Sequence, residues 1–257
     1  DVYRESVLPG AVLTRVARSH IRVGTFQFFA ARGDTANVKR LADYVIDRHY
    51  PDLKATSQPY LALLDRVIDR QASLVSRWMH VGFIHGVMNT DNMAVSGETI
   101  DFGPCAFMDA YDPMTVFSSI DEMGRYAYSN QPPIAQWNLA RLAETLLPLI
   151  DSDKDRAIAI ATERIVGFTD VFSRHWLAGM RTKLGLATAE EGDEAMVKSL
   201  FEMMQMSRAD YTLTFRRLCD VADGTGGAEL RGMFIDVAAF DQWAEQWRAR
   251  ASRETLP

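Results

Sequence analysis

The stretch His85 to Asp112, HGVMNTDNMAVSGETIDFGPCAFMDAYD, carries oxygen-bearing side chains in two short turns. Asn89, Asp91 and Asn92 form the first, and Asp101 opens the second, in Asp101-Phe102-Gly103. Amide and carboxylate oxygens are what a hard divalent cation takes as ligands, and a cation so held offsets the charge of phosphate oxygens. The spacing shows how two turns reach one point. An apolar run, Val81 to Ile84, leads in. Met93 to Val95 and Glu98 to Ile100 then read as short strands joined at Ser96-Gly97, a hairpin with Asn92 and Asp101 at the same end.

The interval from His85 to Asn92 is that of a protein-kinase catalytic loop, H-x-D-x-x-x-x-N, and Asp101-Phe102-Gly103 stands where the D-F-G follows. One position departs. Two residues after the His, where a kinase carries its catalytic aspartate, this chain has Val87. An isopropyl group neither accepts a proton nor orients a hydroxyl, so the chain is either an inactive kinase relative or an enzyme with another base. Asp91, immediately before Asn92, is the substitute at hand; the alternative use for it is a turn aspartate capping its own backbone. His85 reads as a backbone brace without a catalytic role. His20, His49, His80 and His175 have no metal-ligand spacing, Asp109 and Asp112 read as a solvated turn before Pro113, and Cys105 reads as a small packing residue.

The elements that must position these turns are mostly helices. Val12 to Ala17 alternates as a strand, after a Pro9-Gly10 turn. Ser19 reads as the N-cap of a helix through Phe29 that stops at Arg32-Gly33-Asp34. Arg15 and Arg22 flank that strand-to-helix turn. They are either solvated or, since helix starts favour anions, part of a phosphate site. Thr35 to His49 has apolar residues at helical spacing and ends before Pro51. Pro59 begins a long helix to His80, the expected core helix, which runs into Val81 to Ile84. Helices are expected over Pro133 to Ile150, Asp153 to Met180 with a break near Gly167, Thr188 to Met206 behind a Thr188–Glu191 capping box, Tyr211 to Val221, and Asp236 to Arg250. The Met-rich face around Met196, Met203 and Met204 reads as core packing. The cluster Gly224-Thr225-Gly226-Gly227 lacks the Lys-Ser/Thr of a P-loop and reads as an inter-helix loop.

Composition narrows the partners. The 257 residues suffice for one large domain or two small ones. A net charge of −6, with no Lys/Arg run longer than two, argues against nucleic acid. No apolar run approaches the length of a membrane helix, so no membrane partner is expected. Two cysteines, Cys105 and Cys219, exclude a disulfide framework and a thiolate metal site. They suit a reducing compartment such as the cytoplasm. The fold class that follows is α+β, mainly α.

HGVMNTDN followed by TIDFGPCAFMDAYDP, with LPGAVLTRVARSHIRVGTFQFFAARGD and LADYVIDRHYP upstream, resembles the selenoprotein O (SelO) family over roughly the first 130 residues. The resemblance implies a protein-kinase-like fold, long counted as a pseudokinase, of which residues 1–257 are the C-terminal lobe, its small β-hairpin carrying the catalytic loop and D-F-G. It implies AMP transfer, not phosphate transfer, from ATP to Ser, Thr or Tyr hydroxyls of protein substrates. Carried over to matching positions, Asp91 is the proton acceptor, and Asn92 and Asp101 hold Mg²⁺ or Mn²⁺. Asp101 also lies near the nucleotide, and Arg15 and Arg22 contact its phosphates. The family's N-terminal lobe, with its glycine-rich segment, ATP lysine and partner glutamate, and its C-terminal Cys or selenocysteine have no counterpart in the 257 residues. The isolated chain is therefore expected to show little activity. The competing functions are a phosphotransferase of the kinase or aminoglycoside-kinase type, which Val87 argues against, and a non-catalytic ATP-binding scaffold.

Overall fold

The computed structural model describes residues 9–222 and 226–254. Helices dominate it, with one two-stranded sheet among the described residues. Helix α3, Pro59–His80, runs through the centre. Proline at its first turn suits a helix start, where the missing N–H would have no partner. Its 22 residues span about 33 Å. Leu61, Leu64, Val67, Ile68, Ala72 and Val75 are all buried, while Asp69, Arg70 and Arg77 stay outside. α4 (Gln131–Ile150) and α6 (Phe168–Lys183) pack along it, and α1 (Val23–Ala30) and α5 (Lys154–Val166) pack against α4.

Local chemistry sets most helix ends. Asp34 caps α2, Thr35–His49, by accepting the Asn37 N–H at 3.0 Å, and Tyr50-Pro51 ends it. Asp153 and Asp236 do the same for α5 and for α10, Val237–Ala251. Between them lie α7 (Asp193–Ser207), α8 (Tyr211–Ala222) and the short α9 (Ala228–Arg231). The break between α5 and α6 falls at Gly167, as expected. Among the described residues no helix is long and apolar enough to cross a membrane.

Four expectations need correction. Val12 to Ala17 is not a strand: no sheet edge lies beside it, and Val12 and Val16 are 97% and 92% exposed. Ser19 does not cap α1. Ile21 and Arg22 stay extended because they pair with the segment after the polar turn, Val95 donating its N–H to the Ile21 carbonyl at 3.0 Å. The helix therefore starts at Val23, and the Ser19 hydroxyl bonds His49 Nε2 at 2.8 Å instead. α7 starts at Asp193, not Thr188, because Thr188 gives its N–H and hydroxyl to the Glu254 carboxylate. The hairpin around Ser96-Gly97 shrinks to one antiparallel bridge, Met93 with Thr99. The regular sheet lies outside it: β1, Phe83–Ile84, pairs antiparallel with β2, Ala106–Phe107, in the register Phe83 with Phe107 and Ile84 with Ala106. Both polar turns thus sit on the excursion between β1 and β2. Residues 224 and 225 of the glycine cluster, and the first eight and last three residues, lie outside the described residues.

Candidate active site

His85 leaves β1 fully buried. Its backbone N–H donates to Gln131 Oε1 at 3.0 Å, and its Nε2 bonds the Ile100 carbonyl at 2.8 Å. One ring therefore ties the start of the first turn to the residue before Asp101. Burial pushes its pKa down, which keeps the ring neutral. The bracing expected of it is what the geometry provides.

Four further buried side chains hold the same excursion by its backbone, and the sequence reading missed them. Gln131 also donates to the Phe83 carbonyl at 3.0 Å, and Asn138 to that of Met88 at 2.8 Å. Gln71 donates to the Ala94 carbonyl at 2.6 Å, and the Tyr50 hydroxyl to that of Val95 at 2.7 Å. The available signal was polarity on an apolar face: Gln71 follows Val67 and Ile68 by four and three positions on the stripe of α3. Each such bond contributes roughly 1 kcal/mol net, and a stranded partner costs about 1–3.

Within the first turn, Asn89 caps. Its side chain accepts the Asp91 N–H at 3.0 Å and opens a 3-10 turn over Thr90–Asn92. The capping role weighed for Asp91 is thus taken by Asn89, and among the described residues no hydrogen bond reaches the Asp91 carboxylate. That carboxylate is exposed and lies against Gly24 of α1. Asn92 donates its amide N–H to the Val87 carbonyl at 3.0 Å, which leaves its oxygen as the free end.

The Met93–Thr99 bridge sets Asn92 opposite Ile100, one residue before Asp101. Asp101 adopts the left-handed conformation, φ 61°, and its Oδ1 accepts from Arg15 Nη2 at 2.9 Å. Arg22 is the N-cap residue of α1, bridged to Ala94, and its Nε is buried without a hydrogen-bond partner. Arg22, Asp91, Asn92 and Asp101 are thus linked through one excursion and the Ile21–Arg22 segment paired with it, and Arg15 joins them through its bond to Asp101. Among the described residues no three His, Cys, Asp or Glu side chains converge as a metal site. The Asn92 and Asp101 oxygens are a hard donor pair of the kind that suits Mg²⁺, which keeps waters and substrate phosphates as its other ligands.

The other singled-out residues make local contacts. Asp112 Oδ1 accepts the Met114 N–H at 2.8 Å, the Asp109 carbonyl accepts that of Tyr211 at 2.7 Å, and the Cys105 thiol lies 3.5 Å from the Phe102 carbonyl. A cleft of about 710 Å³ opens elsewhere, between α6, α7 and the start of α4, and contains none of the five candidate residues.

A family model described as "Protein adenylyltransferase SelO" matches residues 1–255. The chain belongs to the SelO family. Among SelO relatives, a protein named "Protein nucleotidyltransferase YdiU" from Rhizobium johnstonii is 65% identical over 254 residues, covering 98% of this chain and 51% of that protein. Proteins of the same name from Rhizobium meliloti and Bradyrhizobium diazoefficiens are 62% identical over 257 residues and 60% over 253. They are covered over 100% and 98% of this chain and 52% of their own length. The chain spans about half the length of the curated relatives it matches.

Proposed function

We propose that this chain is the C-terminal lobe of a protein-kinase-like fold, within a larger enzyme that transfers AMP from ATP to Ser, Thr or Tyr hydroxyls of proteins. One observation carries the reading: Val87 occupies the kinase base position, while Asn89 takes over the turn cap and leaves the Asp91 carboxylate free beside Asn92. SelO membership and the relatives' name support nucleotidyl transfer in general. The protein hydroxyl attacks the α-phosphorus of ATP, the bond to the β-phosphate oxygen breaks, and pyrophosphate leaves. Asp91 accepts the hydroxyl proton, a contribution of roughly 10²–10⁴-fold. Arg15 and Arg22 bind phosphate oxygens, Arg22 through a buried guanidinium nitrogen that has no protein partner. Asn92 and Asp101 would hold Mg²⁺ or Mn²⁺, which when bound supplies positive charge against the phosphates.

The test uses the full-length protein with ATP labelled at either the α- or the γ-phosphate. Label reaches protein from the α-position only, and N92A and D101A each lower that transfer by about 100-fold or more. Label from the γ-position makes the enzyme a phosphotransferase. ATP-dependent thermal stabilisation without transfer from either position makes it a binding scaffold.

A further inference from the structure

We propose that Gly24 is a positioning residue, whose missing side chain makes the space in which the Asp91 carboxylate is held against the first turn of α1. Gly24 is the second residue of that helix, and its backbone is not in the left-handed region, so the conformation does not demand glycine. In a helix glycine is less favourable than alanine by about 1 kcal/mol, and α1 has only 8 residues to absorb it. Space gives the reason for it. A Cβ at this position would stand 2.1 Å from Asp91 Oδ1 and 3.1 Å from its Cγ.

The two segments cannot simply move apart. Val23 donates its N–H to the Met93 carbonyl at 3.0 Å, and Val95 donates back to that of Ile21 at 3.0 Å. Buried Gln71 and Tyr50 hold the next two carbonyls of the same segment. The carboxylate is the movable part, so a methyl group at position 24 turns Asp91 to another rotamer and leaves the fold in place. The inference rests on the reading of Asp91 as proton acceptor.

The experiment is a double-mutant cycle of D91N and G24A in the full-length protein, following label transfer from α-³²P-ATP to added protein. D91N is expected to lower kcat by about 100-fold or more. G24A is expected to lower it at least about 10-fold, because a misplaced catalytic group forfeits most of its effect. KM for ATP stays within about twofold, and the melting temperature is unchanged or raised, as a helical Gly→Ala change allows. The double variant matches D91N within about threefold, since a residue acting only through Asp91 has nothing left to move.

A harmless D91N overturns the reading of Asp91 itself. A damaging D91N with a harmless G24A overturns the role of Gly24 alone. Additive losses, or a G24A melting temperature lowered by more than about 5 °C, make Gly24 a structural residue acting independently of Asp91.

Discussion

At the scale of the residue, the Arg15–Asp101 pair separates stability from function. Both side chains are well exposed, 55% and 37%, and an ion pair in that setting contributes about 0–1 kcal/mol to folding. The contact is therefore a poor reason for an arginine at this position, whereas a charge-assisted bond to a phosphate contributes about 1.5–3 kcal/mol. R15M is expected to leave the melting temperature of the full-length protein within about 3 °C while raising KM for ATP at least about 10-fold. Steady-state label transfer and a thermal melt check both halves; an unchanged KM would remove Arg15 from the site. Asp91, Asn92 and Asp101 stand out as candidates because their types and spacing follow a known loop chemistry, whereas the roles proposed for Arg15 and Arg22 rest chiefly on the family resemblance. Gln131 and Asn138 do not stand out, since each acts by being buried against a carbonyl 48 or 50 residues away. No local pattern encodes such a bond.

The same distinction holds at the scale of the element. The limits expected for α2 and α3 are those observed, because Asp34, Pro51 and Pro59 set them through neighbours within a turn. The start of α7 was misread because the acceptor that diverts Thr188 from capping is Glu254, 66 residues on. The strand over Val12 to Ala17 was misread because alternation describes a surface but supplies no partner edge. A long-range contact also joins the ends of α3 and α6. Lys183, in the last turn of α6, donates to the carbonyl of His80 at the end of α3 and lies over the Tyr211 and Phe215 rings, 4.9 and 3.9 Å from their centroids. Burial pulls its pKa from 10.5 down to about 8. The unfolded amine keeps its proton to about 10.4, so between pH 8 and 10 the unfolded state binds more protons and stability rises with pH. Below pH 8 the burial penalty is fully present, roughly 2–3 kcal/mol after partial screening. The ring faces offset about 1–2 kcal/mol of it and narrow the window without reversing it. In urea melts at pH 7.5 and 9.5, the parent should gain stability relative to K183M; parallel curves would show that Lys183 does not titrate there.

At the scale of the whole molecule, the helices after α6 close on one another through a buried charge cluster that shares no residue with the candidate site. Arg250 of α10 donates through Nε to Asp193 Oδ1 at 2.9 Å, through Nη1 to Glu254 Oε1 at 2.6 Å, and through Nη2 to the Thr188 carbonyl at 2.9 Å. The three charged side chains are 3%, 1% and 2% exposed, and Arg181 of α6 reaches the other Asp193 oxygen at 2.7 Å. Burial alone would raise the Asp193 pKa. The Arg250 bond, the Glu190 N–H and Arg181 outweigh it and hold the carboxyl below its ordinary value. Among the described residues, R250M leaves the buried Glu254 carboxylate with Thr188 and no cation, and leaves Asp193 with Arg181 as its one remaining arginine, so the loss of stability should be about 3–5 kcal/mol. R181M should cost less, because its side chain is 20% exposed and Arg250 still neutralises Asp193. In the parent, Asp193 stabilises the fold above its unfolded pKa, and the contribution fades as pH falls through the lower folded value. In R250M the Arg250 bonds no longer offset burial, so both carboxylates take up protons more readily than in the parent, and acidification narrows the penalty. The deficit of R250M against the parent should therefore be larger at pH 7 than at pH 5. Tryptophan fluorescence reads this directly in urea melts, since Trp243 and Trp247 lie on α10 and donate to the Met196 and Leu184 carbonyls at 2.9 Å. A deficit independent of pH would mean that lost packing of the Arg250 stem, and not the stranded charge, sets the cost.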